Sequence, residues 1–236
     1  MGELHVKERD IVVPGEVLAT GMDFLPAGGA YRDKELIIAS QVGLIAVSGR
    51  LVKVVALNWK YLPKKGDTVI GQVVEITQNN WFVDIGYMND AAISLKEGTV
   101  EYIPRGVDLS QYYNFGDYVV ASICNMSRLI DLTMKGPGLR KLTGGRIIKI
   151  NPAKVPRVIG KEGSMITMIK LATDCKIIAG QNGYVWISGF DPEKERIAVE
   201  AIRLIGSKAH IQGLTEEVKT FMEKGLGGKI GIQQTE

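Results

Sequence analysis

The strongest constraint on what this 236-residue chain can fold into is a change of hydrophobic period at Gly144. Before it, apolar residues come in short runs closed off by glycine and proline. After it, recurrence at three- and four-residue steps begins to alternate with short apolar runs. Such a chain is neither one continuous sheet nor one helical bundle. It predicts β modules followed by an α/β module.

Residues 1–62 hold four β-type runs, at residues 11–13, 36–38, 44–47 and 51–55, with turn signals at Pro14-Gly15, Gly28-Gly29, Gly43 and Gly49. Close spacing with glycine turns predicts a small all-β domain. Its seven basic and seven acidic residues cancel, which suits docking to a protein better than gripping phosphate. Phe24 and Leu25 are candidates for exposed docking residues.

Pro63-Lys64-Lys65-Gly66-Asp67 marks a boundary. Strand-like runs then cover residues 69–76, 81–85, 91–95, 118–123 and 130–134, and five strands in a domain over 63–143 suit a Greek-key barrel of the OB kind. Period-two alternation puts Trp81, Val83 and Ile85 on one face and Phe82 and Asp84 on the other. Trp81 is expected in the core. Phe82 shares a face with a carboxylate, so it is either an exposed ring that stacks a base or a ring half-covered by the 96–114 segment. Tyr87, Tyr112 and Tyr113 can pack or stack.

From 144 to 236 the pattern is strand 146–150, helix 164–172, strands 176–179 and 184–188, helix 192–209, and a short last helix over 215–224. Asp191-Pro192 supplies an N-cap side chain and a first-turn proline. Ile197, Ala198, Ala201, Ile202 and Ile205 form one buried stripe.

The net charge of +3 is an average over unlike parts. The three segments carry 0, −1 and +4. Between residues 135 and 161 there are eight basic residues, Lys135, Arg140, Lys141, Arg146, Lys149, Lys154, Arg157 and Lys161, and no Asp or Glu. Two readings stand: a cationic track that displaces counterions from a phosphate backbone, or a solvated surface whose acidic partners come from elsewhere in the fold. Inside this stretch Val158-Ile159-Gly160-Lys161-Glu162-Gly163-Ser164-Met165-Ile166 places two glycines three apart just before a helix. Glycine lets a backbone approach a sugar-phosphate chain, and the helix start offers free N–H groups.

Catalytic chemistry is poorly provided for. His5 and His210 are the only histidines, one near each end, and no Asp-x-Asp or Glu-x-x-His spacing occurs. Gly160-Lys161 is followed by Glu162 where a Walker loop needs Ser or Thr, and Gly225-Leu226-Gly227-Gly228 follows a helix instead of preceding one. No catalytic residue, metal site or cofactor is expected. Cys124 and Cys175 give no disulfide scaffold and no Cys-x-x-Cys site, which points to a reducing compartment. No apolar run approaches the roughly 18 residues that span a bilayer, and the start lacks a signal-peptide pattern. A soluble cytoplasmic protein with no membrane partner is expected.

The third segment resembles a KH domain of type I, order β-α-α-β-β-α, over residues 145–210. In that family the Gly-x-x-Gly loop clamps about four nucleotides; Glu162 stands where a basic or neutral residue is usual. The middle segment resembles the OB domain of the S-one type, through Gly66-Asp67-x-Val69-x-Gly71-x-Val73, Phe82-Val83-Asp84-Ile85-Gly86, Phe115-Gly116-Asp117-x-Val119-x-Ala121-x-Ile123 and Leu132-Thr133-Met134-Lys135. That resemblance assigns RNA contacts to Phe82, Arg105 and Arg128.

In this order the three segments, with Val13-Pro14-Gly15-Glu16 and Gly180-Gln181-Asn182-Gly183, resemble the RNA-binding cap subunits of the archaeal exosome, of the ribosomal RNA-processing protein four type. The resemblance implies a non-catalytic subunit, present in three copies on a hexameric ring of RNase PH-like subunits, that captures single-stranded RNA and guides it to the pore for 3′-to-5′ degradation. It also implies that Gly180 to Gly183 join KH to barrel without touching RNA. The expected RNA-binding set is Phe82, Arg105, Arg128, Lys135, Arg140, Lys141, Arg146, Lys154, Arg157, Gly160, Lys161 and Gly163. The alternative is a transcription elongation or antitermination factor built from the same two modules, which usually carries a second KH domain that about 26 residues after His210 cannot hold. A third possibility is an enzyme in its own right, such as a nuclease.

Overall fold

The structure, a computed structural model, describes residues 2–56, 60–104, 106–208 and 213–226. Two compact units divide after Lys60. The first has eight short strands, β1 (Glu3–Leu4), β2 (Ile11–Val12), β3 (Val17–Thr20), β4 (Leu25–Pro26), β5 (Ala30–Asp33), β6 (Leu36–Ala39), β7 (Gly43–Ser48) and β8 (Leu51–Ala56). They form two four-stranded sheets, ordered β1-β3-β6-β5 and β2-β7-β8-β4. Leu18, Ile37, Ile45 and Val52 are completely or almost completely buried and pack in one core cluster. Alternation decides which residues these are: along β8, Val52, Val54 and Ala56 face in, while Leu51, Lys53 and Val55 face out. Four strands are absent from the sequence reading: β1 and β4 have two residues each, too short for a period to register, and β3 and β5 have four. Phe24 packs against this core; Leu25 beside it is exposed.

The second unit opens with β9 (Thr68–Ile76), β10 (Asn80–Asp84), β11 (Ala91–Ser94), a one-turn helix α1 (Leu95–Gly98), β12 (Tyr118–Met126), β13 (Ile130–Thr133) and β14 (Arg140–Leu142). The order β13-β11-β10-β9-β12, with β12 also paired to β13, closes a five-stranded barrel. All pairings are antiparallel except β11 with β13. This is the OB arrangement. Trp81, Val83 and Ile85 are fully buried. Trp81 also has its polar atom satisfied: Nε1 donates to the carbonyls of Leu109 and Tyr113, each at 3.1 Å. Tyr113 meets it edge-on at 5.2 Å and donates its hydroxyl to Gly98 O at 2.7 Å. Tyr112 and Tyr87 also pack against the barrel core, so these rings stabilise the barrel. Strand β14 lies on the outer edge of β12, pairing Arg140 with Val120 and Leu142 with Tyr118. Its three residues are mostly polar and carry no strand signal of their own; the partner strand supplies the conformation.

The remaining chain runs β15 (Arg146–Lys149), α2 (Val155–Ile159), α3 (Ser164–Thr173), β16 (Lys176–Ala179), β17 (Tyr184–Ser188), α4 (Pro192–Lys208) and α5 (Leu214–Leu226). The antiparallel sheet is ordered β15-β17-β16. Asp191 accepts from the Glu193 N–H at 2.9 Å at the start of α4, and Ile197, Ala198, Ala201, Ile202 and Ile205 are buried. Helix α5 covers α4 with Leu214, Val218 and Met222. One face of the sheet packs under these helices through Ile148, Ile177, Val185 and Ile187. The other face meets the barrel: Trp186, with Ile147, Ile178 and Tyr184, packs on Ile70, Val120 and Leu142.

Candidate nucleic-acid interface

Beside the apolar cluster, a buried amide side chain ties the barrel to the KH sheet. Asn182 is 2% exposed. Its Nδ2 donates to Ile70 O at 2.7 Å and Ile85 O at 2.9 Å, and its Oδ1 accepts from the Ile70 N–H at 3.3 Å. Next to it Gln181 accepts from the Thr68 N–H at 2.5 Å through Oε1 and donates its own N–H to Thr68 O at 2.8 Å. A Cβ on Gly180 would stand 2.9 Å from Ile70 N and 2.5 Å from Asn182 Oδ1, so only glycine lets the two backbones come this close. These four residues act structurally, joining the modules into one body.

Phe82 projects from the outer surface of β10, paired with Glu75 on β9 and Ala92 on β11. It is half-buried, which leaves part of the ring available on the strand face where OB domains receive single strands. Arg128 is exposed in the turn joining β12 to β13. Arg105 lies outside the described residues.

The basic stretch splits into residues with different partners. Lys141 forms an ion pair with Asp117. Burial pushes the Asp117 carboxyl up, but the Lys141 ammonium and the Asn114 N–H outweigh it and hold the group below its ordinary range. For this one lysine the acidic partner did come from elsewhere in the fold. Arg140 lies over the Trp186 ring, 5.9 Å from its centre, and Lys149 over the Tyr184 ring at 5.2 Å. Lys135, Arg146, Arg157 and Lys161 are exposed, and Lys154 is half-buried beside the short turn that precedes α2. None of these has an ion-pair partner among the described residues.

The Gly160-to-Gly163 loop follows α2 and opens into α3. Gly160 has φ 78° and Gly163 φ 80°, and Glu162 between them is also left-handed at φ 54°. A Cβ on Gly160 would meet Met165 N at 2.7 Å, so the bare backbone here is a steric requirement. Lys161 and Glu162 are both exposed at the tip.

Ile159 and Ile166, on either side of this loop, line a groove of about 430 Å³ together with Lys170, residues 177–179 of β16, and Pro137, Gly138, Leu139 and Arg140 from the barrel side. Lys170 and the 137–139 wall were missed from sequence. Lys170 had a usable signal, since it stands four residues after Ile166 on the same helix face. The wall had none. Among the described residues no three His, Cys, Asp or Glu side chains come together as a metal site would require, and no helix is long and apolar enough to cross a membrane.

Comparison with known proteins agrees with this architecture. Residues 60–125 match the family model described as RRP4, S1 domain, and residues 145–193 match a KH domain model. A protein of Thermococcus kodakarensis named exosome complex component Rrp4 is 40% identical over 227 residues, covering 94% of this chain and 88% of that protein. The protein of the same name from Methanothermus fervidus is 40% identical over 94% of this chain and 99% of its own length. The one from Thermosphaera aggregans is 36% identical, covering 94% of each. A crystal structure of a protein assigned as an exosome complex RNA-binding protein superposes with a TM-score of 0.65 at 35% identity, over 71% of this chain and 97% of that one.

Proposed function

The chain belongs to the Rrp4 family of exosome components, and from that premise we propose that it is the non-catalytic RNA-binding cap of this complex in the cytoplasm. It takes hold of single-stranded RNA and guides it to the pore of a hexameric ring of RNase PH-like subunits, three copies to a ring, while the ring does the cleaving. The observation that carries this reading is the fused barrel and KH body. The Phe82 strand face lies in the barrel; the cations Arg146, Arg157 and Lys161, unpaired among the described residues, and the Gly160-to-Gly163 loop lie in the KH module. Asn182 locks the two modules so that a strand can meet them as one surface. Stacking on Phe82 would hold bases without choosing among them, and the cations would hold the backbone.

The first unit is the proposed ring-docking module. On the outer face of β2-β7-β8-β4, Ile11 stands in register with Leu44 and Leu44 with Val55. Ile11 is 65% exposed and Val55 44%. An apolar cross-strand row open to solvent is the kind of surface that a protein partner covers.

The deciding experiment is native co-purification with mass measurement of the complex, alongside an RNA-shortening assay of the isolated chain. A ring-bound chain that binds RNA and leaves its length unchanged is expected. A pull-down containing RNA polymerase and no ring subunits, or shortening of RNA abolished by a single substitution, would overturn the reading. For docking, Val55→Glu in the full chain should abolish co-elution with the ring; retained co-elution would move the contact elsewhere.

A further inference from the structure

The KH sheet has β16 on one edge, where the groove lies, and β15 on the other. On that second edge Lys149 ends β15, in register with Tyr184 of β17. Ile147 and Tyr184, its neighbours along and across the sheet, belong to the face that packs on the barrel, so alternation puts Lys149 on that face too. It is exposed, and its Nζ lies 5.2 Å from the centre of the Tyr184 ring. The ring in turn rests against the barrel: a Cβ on Gly86 would stand 3.1 Å from Tyr184 Cε2 and 3.2 Å from its hydroxyl oxygen. Gly86 donates its N–H to Asp84 Oδ1 at 2.7 Å, and Asp84 shares the outer face of β10 with Phe82. Lys149 is thus joined through Tyr184, Gly86 and Asp84 to the strand face of Phe82, and Phe82 and Gly86 are separated by no more than about 14 Å of chain.

A ring orders a cation differently from an acid. Asp117 opposes the charge of Lys141, whereas Tyr184 gives Lys149 a fixed place and leaves its full charge and its N–H donors for another partner. Lys149 has no ion-pair partner among the described residues. A long side chain that is held before binding loses less conformational freedom when it meets an anion. The anion that suits this place is a phosphate of a strand that has stacked a base on Phe82 and runs on along β10. Asp84 repels phosphate, so such a strand turns its backbone away from the carboxylate and towards the lysine.

We propose that Lys149 binds a backbone phosphate of the single-stranded RNA that continues from Phe82, and that Tyr184 is the positioning residue for this lysine. The proposal rests on the RNA-binding reading above and adds to it a contact at the β15 edge of the sheet, on the seam between the two modules. The strand passes from barrel to KH module there, at the edge opposite the 160–163 loop and its groove.

The test uses the full chain and a short fluorescein-labelled oligoadenylate, with affinity measured across a salt series. Lys149→Ala should lower the slope of log K against log salt by about 0.7, the amount expected for one phosphate contact on a single strand, and Lys149→Arg should keep it. Tyr184→Leu leaves an apolar side chain in the seam and removes the ring. It should weaken binding about two- to tenfold in the native chain, the cost of ordering one long side chain, and have no effect in the Lys149→Ala background. Tyr184→Phe, which keeps the ring, should bind as the native chain does. An unchanged slope in Lys149→Ala overturns the phosphate contact. Equal losses from Tyr184→Leu in both backgrounds, or a weakened Tyr184→Phe, overturn the positioning role. If the slope is unchanged and Phe82→Ala still weakens the probe, the RNA-binding reading survives that failure. If the probe does not bind the native chain at all, both fall.

Discussion

Asn182 of the KH module and Ile70 of the barrel are joined through both backbone groups of Ile70, its N–H at 3.3 Å and its carbonyl at 2.7 Å. The pair lies in a seam where Asn182 is 2% exposed. Buried amide partners left without a bond cost about 1–3 kcal/mol each. Asn182→Ala removes the partner of both backbone groups of Ile70 and of the Ile85 carbonyl, and should destabilise the unit beginning at Tyr61 by at least about 2 kcal/mol. Urea unfolding followed by the fluorescence of Trp81 and Trp186 checks this; a midpoint equal to that of the native chain would show that the seam does not depend on Asn182.

Phe82 offers a separable test on the barrel face. Phe82→Ala should weaken binding of single-stranded RNA by about 1–3 kcal/mol, roughly equally for different homopolymers, because stacking does not discriminate among bases. The fold should survive, since the barrel core is built on the opposite face of β10. Unaltered affinity would assign the ring to packing between Glu75 and Ala92.

The basic stretch should prove unequal in its effect on salt dependence. Lys141 already has Asp117 as a partner, whereas Arg146 and Arg157 are exposed and unpaired among the described residues. Arg146→Ala and Arg157→Ala should each take about 0.7 from the salt slope, and Lys141→Ala clearly less. Equal losses at all three positions would contradict the division seen in the structure.

The Asp117 carboxyl is held below its ordinary value of 3.8 in the folded state. A group with a depressed folded-state value stabilises the fold above its unfolded value, and that contribution is lost as pH falls through the folded value. Stability should therefore decline below about pH 4, in part through this group. Asp117→Asn should cost about 0.2–1 kcal/mol at neutral pH, the range for partly exposed pairs, and should flatten the acid limb. Chemical denaturation at a series of pH values reads both; an unchanged acid limb would show that the pair contributes nothing.

Much of the fold was legible because it is encoded locally. The barrel strands, the burial of Trp81, the stripe along α4 and the Asp191 cap all follow from side-chain period and from bonds within a few residues. The expected RNA-binding residues were legible only as types. That Phe82 leaves the core follows from its place in β10, but the half-burial of its ring depends on what stands beside it. Strand β14 escaped notice because three mostly polar residues have no period. The two-residue strands β1 and β4 of the first unit are likewise too short to show a period.

The sequence by itself determined the order of modules, the inward and outward faces of the longer periodic elements such as β10 and α4, and the concentration of positive charge between residues 135 and 161. These depend on the chemistry of near neighbours, which a linear pattern carries. Only the tertiary structure decided which faces meet. It set the KH sheet on the outside of the barrel, gave Lys141 to Asp117 and Arg140 to Trp186, and brought residues 137–140 opposite α3 to form a groove. Packing between modules is a matter of shape and hydrogen bonds across more than a hundred residues of chain, as Ile70 and Asn182 show, and no local period records it.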